Sequence, residues 1–240
     1  MALSSKLKGA LLIARQRGLG NMLRYTADLT FDVCYERWLS AQTSGDISTA
    51  ALGISDADAF HYAPTPYSCF FRAMKKVDAR DGVFVDYGSG KGRIVCSAAR
   101  YPFRKVIGVE FSERLVAEAH ANIARAPRRL LCKDIELVTA NAAGWPVPDD
   151  ATVFHFYNPF GGQTLRSAIG KIAESMRRSP RQVWLMFAFL WHIAPIMAAD
   201  EPIPRRWQKA TSDVLWPPYD ERNSDNPNGH RHRIYTLDSR

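Results

Sequence analysis

Cys34, Cys69, Cys96 and Cys132 are scattered singly, with no C-x-x-C pair and no histidine at zinc spacing. No metal site is therefore expected, and a reducing, cytoplasmic setting follows. The apolar run at residues 10–14 is too short for a signal-peptide core, and no stretch is long enough to span a bilayer. There is no internal repeat and no recognisable RNA-binding module. No acid occurs before Asp28, whereas Lys6, Lys8, Arg15, Arg17 and Arg24 do. That segment reads as a first helix packed on the domain, or as a basic amphipathic helix of the kind that lies on membranes or leads organelle transit. What is present is ordinary: 240 residues, 46% hydrophobic and 23% charged, enough for one domain with an extension or at most two small ones. The net charge of +8 could steer the chain toward an anionic partner. Its basic residues are spread rather than interleaved with aromatics, so nucleic acid is possible but not indicated.

The chain is organised around residues 83–112. Val83, Phe84 and Val85 form the short apolar run of a parallel strand buried on both faces. Gly88, Gly90 and Gly92 follow, able to adopt positive φ and to let backbone approach a ligand. Residues 94–100 have helical spacing, and residues 106–109 make a second buried strand ending in Glu110. A strand, glycine turn, helix and second strand place a nucleotide-type cradle at the carboxyl ends of two parallel strands.

Spacing and charge narrow the ligand. A dinucleotide fingerprint would need glycine at position 93, which is Arg93, and Asp86 would repel a pyrophosphate. The same acid would favour the ammonium and sulfonium of S-adenosylmethionine, while Glu110 can accept ribose hydroxyls in either case. The Asp86, Gly88, Gly90, Gly92 arrangement resembles motif I of class I, seven-strand, S-adenosylmethionine-dependent methyltransferases.

A second informative site follows the fourth predicted strand, residues 152–157: Asn158-Pro159-Phe160. The tripeptide is similar to the Asn-Pro-Pro-Tyr/Phe motif of amino-methylating members, shortened by one proline. An Asn158 side-chain oxygen can accept an amine N–H and aim the nitrogen lone pair, with Phe160 as a cation-friendly wall. His155 is read as a satisfied core histidine rather than a base. Upstream, residues 29–39 read as a helix, and residues 40–58, rich in Ser, Gly, Asp and Ala, as a linker or loose cap. The proline-flanked lead-in at residues 61–67 is either a packed turn or a cover for the methionine end of the cofactor. Helices are expected over 69–77, 113–125, 165–178 and 192–199. Further strands are expected at 135–138, 182–190, 207–216 and 230–237, the last two closing the sheet as an antiparallel pair. Trp145 either flanks the adenine or is simple packing, and residues 217–229 form a polar loop.

More narrowly, the Tyr-x-Pro-Thr lead-in, Asp-x-Gly-Ser-Gly-x-Gly-Arg and Asn-Pro-Phe look like a group of largely uncharacterised bacterial methyltransferases. The first two also look like seven-strand protein-lysine methyltransferases. The resemblance implies an α/β, Rossmann-like sheet of seven mostly parallel strands with helices on both faces, at residues 61–240, behind a helical extension at 1–60. It implies Asp86, Gly88, Ser89, Gly90 and Gly92 around the methionine moiety, Glu110 on the ribose, Asn141 near the adenine, and Thr65 near the carboxylate. It places Asn158, Pro159 and Phe160 at the transferable methyl. The activity implied is N-methylation of a lysine-like amine on a protein. Alternatives are an RNA or small-metabolite methyltransferase, or a non-catalytic binder of the cofactor. No dedicated general base is demanded by such a reaction, and none stands out.

Overall fold

Val83 opens a strand buried along its whole length, and the sheet is assembled outward from it. In the computed structural model, β1 (Val83–Tyr87), β2 (Lys105–Glu110), β3 (Ile135–Thr139), β4 (Ala151–Tyr157) and β5 (Val183–Ala188) run parallel in the order β3-β2-β1-β4-β5. A sixth strand, β6 (His232–Leu237), runs antiparallel along β5. The structure describes residues 18–126, 129–188 and 232–237, together with 11, 12, 14 and 15. The sheet has six strands among the described residues. The expected strand at 207–216, helix at 192–199, loop at 217–229 and most of the basic N-terminal segment lie outside them.

Among the described residues five α-helices flank the sheet: α1 (Leu19–Leu39), α2 (Tyr67–Met74), α3 (Arg93–Ala98), α4 (Glu113–Arg125) and α5 (Gly162–Arg178). Strand alternation divides the core in two. Val83, Val85 and Tyr87 join Ile107, Phe154 and Phe156 beneath Leu165, Ile169 and Ile172 of α5. Phe84, Val106 and Val153 point the other way, against Leu39 of α1, Phe70 of α2 and Ile94 of α3. Covering both faces is what makes continuous apolar runs viable in the central strands. Truncating a ring such as Phe84, which is fully buried, would cost about 3–5 kcal/mol.

α1 begins ten residues earlier than its periodicity suggests. Thr26 and Thr30 donate their hydroxyls to the carbonyls of Met22 (3.1 Å) and Thr26 (2.8 Å), so these helix-poor residues are absorbed without ending the helix. Residues 40–58 were expected as a linker or loose cap; residues 41–62 form an ordered cap across the carboxyl ends of the strands. Ile47 and Tyr62 exchange both backbone hydrogen bonds, at 3.0 and 2.8 Å. Ala59 bridges Phe160 in antiparallel sense, with Phe60 N–H on Pro159 O (3.3 Å) and Gly161 N–H on Asp58 O (2.8 Å).

The chain winds from β1 to β3 in one direction and from β4 to β5 in the other, so β1 and β4 border a topological switch point. The loops leaving these two strands are the glycine turn and Asn158-Pro159-Phe160. Among the described residues no helix is long and apolar enough to cross a membrane.

Candidate active site

The glycine turn is folded back on β2 by its own backbone. Gly88 and Ser89 N–H donate to Val109 O (2.8 and 3.1 Å), and Gly92 N–H donates to Ser89 O (2.9 Å). Gly88 (φ 70°) and Gly90 (φ 54°) lie in the left-handed region. A Cβ on Gly88 would stand 2.2 Å from Pro159 Cβ, and one on Gly90 would stand 2.3 Å from the Tyr62 ring. The two glycines thus let the Asn158 loop and the cap close onto the turn.

Glu110, at the end of β2, is buried and holds the turn from the other side. Its Oε2 accepts Gly90 N–H at 2.8 Å and its Oε1 accepts Ser112 N–H at 2.9 Å. Burial pushes its carboxyl above the ordinary range, and these backbone donors offset only part of that. Carboxylate oxygens carry spare lone pairs, so a diol can still be received there.

Between turn, cap and Asn158 loop lies a cavity of about 720 Å³, counting its open mouth. Its apolar lining from the end of β2, α4 and the loop after β3 is Val109, Phe111, Leu115, Ala140 and Ala142. The roof is Leu52, Ile54, Ala59 and Phe60 of the cap, and the polar lining includes Asp56, His61, Glu110, Tyr157, Asn158 and Thr164. Among the described residues two carboxylates line this cavity and neither a lysine nor an arginine does. The turn's own cations are engaged elsewhere. Lys91 Nζ is 3.0 Å from Glu118, and Arg93 is spent on a buried network.

Arg93 ties four segments together. It donates to Thr43 Oγ1 (2.7 Å), Thr65 O (3.2 Å), Glu36 Oε2 (3.1 Å) and Ser44 Oγ (3.0 Å), and lies 4.3 Å over the Tyr67 ring. Burial pushes Glu36 up, but the Arg93 charge and the hydrogen bonds from Ser44 and Thr43 outweigh it and hold the carboxyl below its ordinary value. The residue that spoils a dinucleotide fingerprint is therefore the anchor of the cap.

Of the residues singled out from sequence, Gly88, Glu110, Asn141, Asn158, Pro159 and Phe160 line the cavity. Asn158 sits at φ 46°, a left-handed conformation that its short polar side chain tolerates. Thr65, Asp86, Ser89, Gly90 and Gly92 do not line it. Asp86 is the main correction. It shares a strand face with Phe84, opposite His155 in the β1–β4 register, and its Oδ1 is 2.7 Å from His155 Nδ1 with both side chains buried. Thr65 is buried behind the wall with its carbonyl on Arg93, and Ser89 is buried with its hydroxyl beside β2 at Gly108. Gly90 is covered by Tyr62, and Gly92 packs on Ala119. Asn141 does line the cavity, yet its Oδ1 accepts Ala143 N–H at 2.9 Å, closing its own turn. Trp145 packs edge-on to Tyr87 within the core. The cap residues were missed because no periodicity marks them. Phe111, half exposed directly after Glu110, carried a usable signal: an aromatic at a strand's carboxyl end.

Residues 84–179 match a family described as a methyltransferase domain. A protein-lysine N-methyltransferase of Saccharolobus islandicus (strain REY15A) is 38% identical over 65 residues, which are 26% of this chain and 40% of that protein. The chain thus spans less than half the length of that curated relative. Among solved structures, an RNA methyltransferase from Salinibacter ruber in complex with S-adenosyl-L-homocysteine has 20% identity and a TM-score of 0.43, covering 73% of this chain and 93% of its own. A SAM-dependent methyltransferase from Thiobacillus denitrificans, also in complex with S-adenosyl-L-homocysteine, has 17% identity and a TM-score of 0.37, covering 50% and 46%.

Proposed function

We propose that the protein, whose residues 84–179 match a methyltransferase domain, transfers the methyl group of S-adenosylmethionine to an amine nitrogen, with a protein lysine side chain as acceptor. The observation that carries this reading is the cavity's charge: in a chain with net charge +8, its described lining holds Asp56 and Glu110 and no lysine or arginine. Such a lining suits a sulfonium and an ammonium, and it opposes the phosphates of a nucleic-acid acceptor. The relative named a protein-lysine N-methyltransferase supports the same acceptor class.

The residues present fit the cofactor. Glu110 would receive the ribose hydroxyls, and Phe111, Leu115, Ala140 and Ala142 offer an apolar wall to the adenine, with Asn141 at its edge. S-adenosylmethionine supplies a methyl group that is already activated, so the chain's task is alignment, which can contribute up to about 7–11 kcal/mol. Asn158 is the aligning residue in this reading, its side-chain oxygen accepting the amine N–H while Phe160 walls the site and Pro159 fixes the loop against Gly88. In this reading residues 61–240 are the transferring unit, and Leu52, Ile54, Ala59 and Phe60 of the cap add to the lining of its cavity.

Calorimetry with S-adenosylhomocysteine, paired with tritium transfer from labelled S-adenosylmethionine into heat-treated lysate protein, tests the reading. Asn158→Ala should bind S-adenosylhomocysteine as the wild type does and lose about 10²-fold in transfer. A wild type without affinity for S-adenosylhomocysteine would remove the cofactor, and full transfer by Asn158→Ala would remove the aligning role.

A further inference from the structure

An amine acceptor arrives as an ammonium and must lose a proton before its nitrogen can attack. The groups assigned so far do not take it. Glu110 is held by the Gly90 and Ser112 N–H groups, and Asp86 and His155 are buried against each other, away from the cavity. The cap offers what is missing. Its antiparallel bridge sets Ala59 opposite Phe160, with Phe60 N–H on Pro159 O and Gly161 N–H on Asp58 O. His61 follows that bridge on the cap side and Asn158 precedes it on the other, and both residues line the cavity. His61 is also exposed to solvent. Asp56 and Thr164 line the same cavity, and the Thr164 N–H is held by Asp58 Oδ2 at 2.9 Å. Asp56 itself is oriented by accepting Asp58 N–H on Oδ1 at 2.9 Å.

We infer that Asp56 and His61 form an acceptor subsite for an alkylammonium group, Asp56 receiving its charge and His61 its proton. The inference rests on the methyl-transfer reading. One N–H bond of the ammonium breaks and its proton passes to an imidazole nitrogen of His61. The freed lone pair forms the N–C bond to the methyl of the sulfonium as the C–S bond breaks, its electron pair staying on sulfur. The imidazolium then returns the proton to water at the mouth. The other titratable residues lining the cavity with His61 are Asp56 and Tyr62 on its own segment, Glu110 from β2 and Tyr157 from β4. All are acids or phenols.

The test uses n-butylamine as a lysine side-chain mimic, titrated calorimetrically into the full chain saturated with S-adenosylhomocysteine. Asp56→Asn should keep S-adenosylhomocysteine affinity and lose about tenfold or more in n-butylammonium affinity. His61→Gln should keep both affinities, yet lose about 10²-fold in tritium transfer to heat-treated lysate protein near neutral pH. It should regain transfer as the pH approaches the free amine pKa near about 10.4, a recovery that a merely structural role would not give. A wild type that binds S-adenosylhomocysteine but not n-butylammonium overturns the subsite, as does undiminished amine affinity in Asp56→Asn. A wild-type pH profile in His61→Gln overturns the proton transfer. Failure of S-adenosylhomocysteine to bind at all overturns the methyl-transfer reading, and the subsite with it.

Discussion

Asp86 and His155 meet across β1 and β4 where a strand face that is otherwise aromatic and aliphatic closes over them. His155 lies edge-on to Phe70 and stacked near Phe84. Burial raises the Asp86 carboxyl well above 3.8 and lowers the His155 imidazole from 6.5 to about 3. The two shifts act on stability with opposite signs. His155 binds its proton more readily in the unfolded chain, so between pH 6.5 and about 3 acid costs stability through this group. Asp86 binds its proton more readily in the folded chain, so acid favours folding from its raised pKa down to 3.8. Asp86→Asn keeps an acceptor for the ring N–H and removes only the second effect. The variant should lose denaturation free energy on acidification from pH 6.5, by up to about 1.4 kcal/mol per unit, where the wild type stays flatter. Urea melts of both proteins across this range check it, and parallel pH profiles would show that the pair does not hold a proton in this way.

At the scale of elements, the cap is positioned by other segments rather than by its own pattern. Arg93 holds it at Thr43 and Ser44, and Ile47 holds Tyr62. Asp58 holds it to the start of α5, where its Oδ2 accepts Thr164 N–H. Gly162, at φ 49°, leaves room for that carboxylate, because a Cβ there would stand 2.0 Å from Asp58 Oδ1. Asp58 therefore does the work of a helix N-cap from a distant point in the chain. Asp58→Ala should cost about 1 kcal/mol, a fall in Tm of about 2–4 °C, and should speed hydrogen exchange at the Phe60 amide. Unchanged exchange at Phe60 would mean that the cap is anchored elsewhere.

The same contrast accounts for what sequence could and could not reveal. β1, β2, β4 and α4 carry local patterns, either apolar runs or a helix that starts at Ser112 and ends in basic residues, and they lie within a residue or two of their expected bounds. Glu110 and Asn158 were legible as residues that reach the cavity because each stands at the end of a patterned strand. Asp86 was misread because the outward face of a strand end is settled by its cross-strand neighbour, His155, which is far away in sequence. Residues 41–62 were illegible for a related reason: Glu36, Arg93 and the Pro159 carbonyl order them, and no periodic pattern in residues 41–62 encodes those contacts.

For the molecule as a whole, net charge and site charge point to different ligands. A chain of net charge +8 attracts anions at long range, and a dinucleotide would be drawn to it. Binding a pyrophosphate on the glycine turn, however, requires backbone N–H groups that face the ligand. Those groups are already committed: Gly88 and Ser89 to Val109, Gly92 to Ser89, and Gly90 to the Glu110 carboxylate. A diphosphate would have to displace Glu110 and then lie beside its charge. Long-range attraction is screened beyond about 8–10 Å at ordinary salt, whereas this local opposition is not. S-adenosylhomocysteine at about 100 times its Kd should therefore raise Tm by roughly 5–10 °C, and NAD at the same concentration should leave it unmoved. Adding salt should leave the first shift in place, since a ligand without phosphates releases no counterions. A comparable rise with NAD would mean that the turn opens to an anion, and the charge argument for a cationic ligand would fall with it.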